Sequence, residues 1–173
     1  MTFSGGEPLM QAEALISLLH RCGELGIHRA VDTSGFAPVR TLLEVARHAD
    51  LFLFDLKHMD SASHTKYTGV SNELILENLV KLAGTGVALR IRLPLLAGIN
   101  DDYRNLRATA EFTAALPGVQ GIDILPYHNL ATAKYTRLGE PYRGADRYTP
   151  DPESIAHAQY IFEQFGHTVR IGG

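Results

Sequence analysis

The chain has 173 residues, 45% of them hydrophobic and 20% charged, with no tryptophan and a formal net charge of -3. That is enough for one domain with a real core and too little for two ordinary ones, and scattered charge of this size leaves no nucleic-acid or membrane footprint. No apolar run approaches the roughly 20 residues that span a bilayer, no signal peptide precedes the first motif, and the single cysteine, Cys22, excludes an internal disulfide and suits a reducing cytoplasm.

In chain order, short β-rich runs alternate with helical patterns. Residues 1–4 form the first run and end in Gly5-Gly6. Residues 11–25 then place Leu15, Leu18, Leu19 and Cys22 on one helical face, with Gly26 as the stop. A second strand, 28–31, ends in Asp32-Thr33-Ser34-Gly35, and Pro38 suits the first turn of a helix to about His48. Leu51 to Phe54 is an apolar third strand that ends in Asp55-Leu56-Lys57, followed by a short helical piece at 63–67 and a clearer helix at 72–83.

The fourth strand spans 87–93 and ends at Pro94; Asn100 or Asp101 is expected to cap the helix 103–116. The fifth, 121–125, ends in Pro126-Tyr127-His128. A stretch without periodicity, 129–152, is long for a compact domain, as lids and binding segments are. A last helix, 153–165, and a short strand, 168–171, close the chain. Repeated βα units with apolar strands predict an α/β fold: parallel strands with outer helices, flat or curved into a barrel.

Position along the strands is the chemical signal. Polar residues gather at strand C-termini: Ser4 to Glu7, Asp32 to Ser34, Asp55 and Lys57, then Tyr127 and His128. In parallel α/β folds those ends share one rim, where active sites lie. Each residue has a plainer reading. Gly5-Gly6 suits a tight turn, Glu7 suits a helix start, and Asp32-Thr33-Ser34-Gly35 suits an Asx turn. Asp55 and Lys57, two apart, could pair with each other, and His128 alone could be a solvated loop histidine. A lysine at a barrel strand end is also where a Schiff base forms. Cys22, on an apolar helical face, reads as a buried structural thiol. His20, His48, His58, His64, His157 and His167 show no ligand spacing, and no metal is assigned to them.

Thr2-Phe3-Ser4-Gly5-Gly6-Glu7-Pro8-Leu9 is similar to the radical S-adenosylmethionine (SAM) motif that binds the methionine end of SAM. After it, in order, come Asp32-Thr33-Ser34-Gly35, Asp55-Leu56-Lys57-His58-Met59-Asp60, Tyr67-Thr68-Gly69-Val70, Arg90-Ile91-Arg92-Leu93-Pro94 and Leu125-Pro126-Tyr127-His128. The series, which runs to Arg170-Ile171-Gly172-Gly173, resembles the activating enzymes of glycyl radical enzymes, the group typified by pyruvate formate-lyase activating enzyme. Asp55 to Asp60 and Asn72 to Leu79 lean toward the longer members, which carry a ferredoxin-like insertion with extra clusters.

The resemblance implies an incomplete TIM-like (β/α) barrel lacking its first βα unit, with residues 1–173 as a single truncated domain. It implies SAM as cofactor. Gly5, Gly6 and Glu7 would receive the α-ammonium, and Asp32 and Thr33 the amino-acid end, with a monovalent cation at Asp32 as one arrangement. Lys57 would face the carboxylate, Asp55 the ribose hydroxyls and His128 the nucleoside, with Arg92 facing the same interior. It also implies a glycyl radical enzyme as partner, its glycine loop docking near Lys134-Tyr135, and a flavodoxin or ferredoxin as electron donor in a cytoplasmic setting. The family cleaves SAM reductively at a [4Fe–4S] cluster held by Cys-x-x-x-Cys-x-x-Cys and takes a hydrogen from a glycine of the partner. Cys22 cannot supply those thiolates, so the chain is expected to be a catalytically incompetent C-terminal part of an activase. A non-catalytic SAM- or partner-binding domain and a cluster-independent lyase using Lys57 stay open as alternatives.

Overall fold

A computed structural model describes residues 1–127 and 148–172. Six strands, β1 (Thr2–Phe3), β2 (Ala30–Thr33), β3 (Leu51–Asp55), β4 (Ala88–Leu95), β5 (Val119–Pro126) and β6 (Val169–Ile171), form one parallel sheet in sequential order. The connecting helices are α1 (Ala12–Glu24), α2 (Val39–Ala46), α3 (Ser61–Thr68), α4 (Glu73–Ala83), α5 (Tyr103–Ala114) and α6 (Pro152–Gln164). Parallel crossovers are right-handed, so sequential strand order sends every connection to the same face of the sheet. The result is an α/β partial barrel: helices outside, a concave inner face, and a sheet left open between β1 and β6. Among the described residues no helix is long and apolar enough to cross a membrane.

The two faces of the sheet differ in chemistry. Val31, Phe52, Phe54, Leu89, Ile91, Leu93, Ile122 and Ile124 have no exposed surface and form the core together with Leu19, Leu42, Leu79, Leu82 and Phe162 of the helices. With a side-chain period of two, the alternate residues Asp32, Leu53, Asp55, Arg90, Arg92 and Asp123 turn to the inner face. In-register pairing aligns Asp55 with Arg92 and Arg92 with Asp123 across β3, β4 and β5. Closed barrels of this type fill the interior with branched apolar layers; this one lines it with ion pairs.

Several local expectations shift. β2 extends through Thr33, so Asp32 and Thr33 end the strand instead of following it. β4 continues through Pro94 to Leu95 because β5 pairs with it that far. The cap of α5 is Asp102, whose side chain accepts from the Asn105 N–H; Asn100 is buried and engaged elsewhere, and Asp101 accepts from the Gly98 N–H. The piece at 63–67 is a full helix, α3, capped by Asp60 and ended by Gly69 in the left-handed conformation. Cys22 is half-buried, not enclosed, and Leu18 is 54% exposed. The buried positions of α1 are Leu15 and Leu19, which leaves those two side chains on its flanks.

Gly35 couples the β2 loop to the core. Its φ of 71° is left-handed, and a Cβ there would lie 2.1 Å from the ring of the fully buried Phe54. Gly35→Ala should therefore combine backbone strain with overpacking and destabilise the fold by about 2–5 kcal/mol. Denaturant unfolding measures this; a loss below about 1 kcal/mol would mean that Phe54 yields freely.

Candidate active site

The polar ends of β1, β2 and β3 converge as their spacing predicts, whereas Tyr127 after β5 is not among the residues that line their cleft. A cleft of about 390 Å³ at the C-terminal rim is lined by Ser4 to Glu7, by Asp32 to Ser34, and by Asp55, Lys57 and Arg92. Larger clefts exist; the one of about 550 Å³ between α3 and α5 lies outside the barrel. The rim cleft gathers charged groups from four strands and the loops that follow them: Glu7, Asp32, Asp55 with Lys57, and Arg92.

Glu7 ties the first two loops together. Its Oε1 accepts from Thr33 Oγ1 at 2.6 Å and from the Leu9 N–H at 3.2 Å. Its Oε2 accepts from the Ser34 N–H at 3.0 Å and from Ser34 Oγ at 2.6 Å. Glu7 is thus both the cap of the 3-10 turn Pro8–Gln11 and a bridge to β2. Ser34 is the partner that the sequence reading passed over in its site assignment. The turn at Thr33 to Phe36 is made by hydroxyls, not by Asp32: Thr33 Oγ1 accepts from the Gly35 N–H and Ser34 Oγ from the Phe36 N–H.

Gly5 and Gly6 have φ of 101° and 60°, and nothing lies within 4 Å of where a Cβ would stand. Glycine here meets a backbone demand and leaves the main chain open to the cleft. Asp32 Oδ2 accepts from Ser4 Oγ at 2.8 Å and pairs with Arg92 at 2.5 Å. Arg92 also reaches within 4.0 Å of Asp55 Oδ1. Lys57 and Asp55 do pair, at 3.2 Å through Oδ2, and both still line the cleft. Asp55 Oδ1 is buried with no hydrogen-bond partner.

Below this layer, Arg90 and Asp123 form a buried bidentate ion pair, with Nε 3.0 Å from Oδ2. No sequence signal marked Asp123; the clue would have been an aspartate at an inward position of an otherwise apolar strand. His128 and Lys134-Tyr135 lie outside the described residues, as does most of the long loop at 129–152. From its end, the Tyr148 carbonyl accepts from the Ala97 N–H at 2.9 Å. Among the described residues no group of three or more His, Cys, Asp or Glu is placed to hold a metal ion.

Scans against protein-family models match nothing. Solved structures with this fold include a radical SAM methyltransferase from Sphaerobacter thermophilus, 19% identical with a TM-score of 0.74 over 98% of this chain and 50% of that one. A domain of pyruvate-formate lyase-activating enzyme from Bacteroides vulgatus is 40% identical, with a TM-score of 0.84 over 100% of this chain and 98% of that one. The class that fold and rim define is thus the radical SAM partial barrel.

Two curated relatives sharpen this. Choline trimethylamine-lyase activating enzyme of Oleidesulfovibrio alaskensis is 44% identical over 82% of this chain and 47% of its own length. Trans-4-hydroxy-L-proline dehydratase activating enzyme of Clostridioides difficile is 38% identical over 100% of this chain and 58% of its own. The chain belongs to the glycyl-radical-enzyme activating enzymes. It spans about half the length of the curated relatives it matches.

Burial holds the Asp55 carboxyl above the ordinary carboxylate range, only partly opposed by Lys57 and Arg92. A raised carboxyl value favours the protonated form in the fold. Its stabilising contribution is complete below the unfolded value and is lost as pH rises through the folded one. Ionised Asp55 is therefore a cost at neutral pH. Asp55→Asn should raise the unfolding temperature by a few degrees at pH 7, with the gain shrinking to nothing below about pH 4. A lower unfolding temperature at pH 7 would show that the cations outweigh burial.

Proposed function

We propose that this chain is the SAM-holding part of a glycyl-radical-enzyme activase, a single partial-barrel domain that works within a longer protein. The observation that carries the reading is the Asp55 carboxylate, whose side chain is 23% exposed and lines a cleft beside open glycine backbone and two cations. An ionised carboxylate there accepts hydrogen bonds, and the hydroxyls of a ribose fit it.

Gly5 and Gly6 would receive the α-ammonium on their carbonyls. Glu7, with its carboxylate already spanning Thr33, Ser34 and Leu9, would shape that loop and add negative charge nearby. Asp32 and Thr33 would take the amino-acid end. A monovalent cation beside Asp32 would share its carboxylate with Arg92. Lys57 would oppose the SAM carboxylate as a point charge, Arg92 would hold Asp32 in place, and His128 would meet the nucleoside. A reduced [4Fe–4S] cluster held outside this chain would supply the electron, and SAM the radical that removes hydrogen from a glycine.

The residues do not fit the cluster. It needs three thiolates, and this chain has only Cys22, half-buried on α1. We assign the thiolates to protein outside these 173 residues and expect this chain alone to be catalytically incompetent. The partner would be a glycyl radical enzyme, with a flavodoxin or ferredoxin as electron donor. A Schiff-base role for Lys57 fits less well, because its amine is paired with the Asp55 carboxylate, whereas imine formation requires the free base.

Calorimetry with SAM tests the assignment. Binding by the wild-type chain that weakens at least about tenfold in Asp55→Ala is the expected result, since a hydrogen bond to a charged group contributes about 1.5–3 kcal/mol. Unchanged affinity in the variant would remove Asp55 from the site.

A further inference from the structure

The loop after β3 carries Lys57, and its backbone has left the sheet. Leu56 N–H makes the last ladder-like bond, to the Arg92 carbonyl. The next three residues, Lys57, His58 and Met59, present polar backbone groups that burial obliges to find partners. Four of these groups go to buried asparagine side chains. Asn100, 1% exposed, donates from Nδ2 to the Lys57 carbonyl at 2.8 Å and to the Pro94 carbonyl at 2.7 Å, while its Oδ1 accepts from the Leu96 N–H. Asn72, 3% exposed, donates from Nδ2 to the carbonyls of His58 at 2.9 Å and Met59 at 2.8 Å. Asn105, 4% exposed, accepts from the Met59 N–H at 2.8 Å and donates to the Asn100 carbonyl at 2.8 Å.

The three residues come from different elements. Asn100 follows β4, Asn72 precedes α4, and Asn105 is in the first turn of α5. They meet only at the Lys57 loop. Asn100 is the joint: one amide group spans the loops after β3 and β4 and so fixes where Lys57 starts relative to the strand that bears Arg92. A lysine side chain is a point charge on a flexible four-carbon stem. Its ammonium has a defined place only if the base of the stem is fixed.

We propose that Asn100, supported by Asn72 and Asn105, is a positioning residue for Lys57, holding its ammonium against Asp55 at the mouth of the cleft. This rests on the SAM reading for its functional consequence, but not for its geometry. The chemistry requires an amide. Asn100 must donate twice and accept once, and a carboxylate of the same shape accepts only, so Asn100→Asp would face two carbonyls with lone pairs.

The test uses the full chain and follows the Lys57 side chain directly. The Cε–Hε NMR signal of Lys57 is assigned by its loss in Lys57→Arg, and Asp55→Asn supplies the position it takes without its ion pair. In Asn100→Asp the signal is expected to move toward that unpaired position, and SAM affinity by calorimetry to fall about tenfold or more, as happens when supports of a binding group are removed. A folded Asn100→Asp protein whose Lys57 signal stays at the wild-type position overturns the proposal, whatever its unfolding temperature. A moved signal with SAM affinity within twofold of wild type supports the positioning and overturns the SAM role of Lys57 instead. Should Asn100→Asp not fold, Asn72→Ala loosens the same loop from the other side, and an unmoved Lys57 signal there has the same consequence. Wild-type protein that binds no SAM sinks the SAM reading instead, while the NMR comparison still decides whether Asn100 sets Lys57.

Discussion

Arg92 stands between two aspartates on the concave face, 2.5 Å from Asp32 and 4.0 Å from Asp55. Placing three charges inside a barrel is costly unless they compensate one another, and here they do so only because β2, β3 and β4 lie side by side in parallel register. Asp55 and Arg92 are direct register partners, whereas Asp32 is reached across the intervening strand. A slip of one residue in β3 would turn Asp55 outward into the core and Phe54 into the cleft. The packing of Phe52 and Phe54 against the helices and the charge of the inner face are thus one constraint seen from two sides.

The rim is held to that sheet by side chains that serve as backbone partners. Glu7 bridges the loops after β1 and β2. Asn78, fully buried on α4, donates to the carbonyls of Gly35 and Ala37, and the asparagines around Lys57 do the same for the loop after β3. Loops that must be both irregular and fixed leave carbonyls and N–H groups without ladder partners, and carboxamides supply both donor and acceptor at one point. The cleft keeps its shape through these supports, which frees Gly5 and Gly6 to present bare main chain and leaves Asp55 Oδ1 without a hydrogen-bond partner. Such an atom is a local cost of the kind that binding sites carry.

Much of the fold was legible because each apolar run alternated with a helical one. That alternation implies a parallel sheet, and a parallel sheet brings Ser4, Asp32, Asp55 and Lys57 to one rim. The misreadings are local and have physical causes. Asn100 and Asp101 are both cap candidates because such side chains favour helix starts, but Asp102 lies one residue before α5, Asn100 is drawn into the loop network and Asp101 accepts from the Gly98 N–H. Helical periodicity puts Leu18 and Cys22 on the face of Leu15 and Leu19 and suggests a buried thiol at Cys22, yet periodicity gives a face and not the width of the contact that covers it.

What the sequence determined by itself was the set of chemical groups and their order along the chain: a glycine-rich loop first, then acids and a lysine at strand ends, and arginines within the fourth strand. Those are properties of local spacing, which needs no knowledge of neighbours. Only the tertiary structure decided which groups touch. That Glu7 is engaged by Thr33 and Ser34, that Arg90 pairs with Asp123 beneath the cleft, and that three asparagines from separate elements close on the Lys57 loop all depend on contacts between residues 13 to 46 positions apart. Hydrogen-bond partners at that separation are chosen by strand register and helix packing, and neither is written in any one stretch of chain.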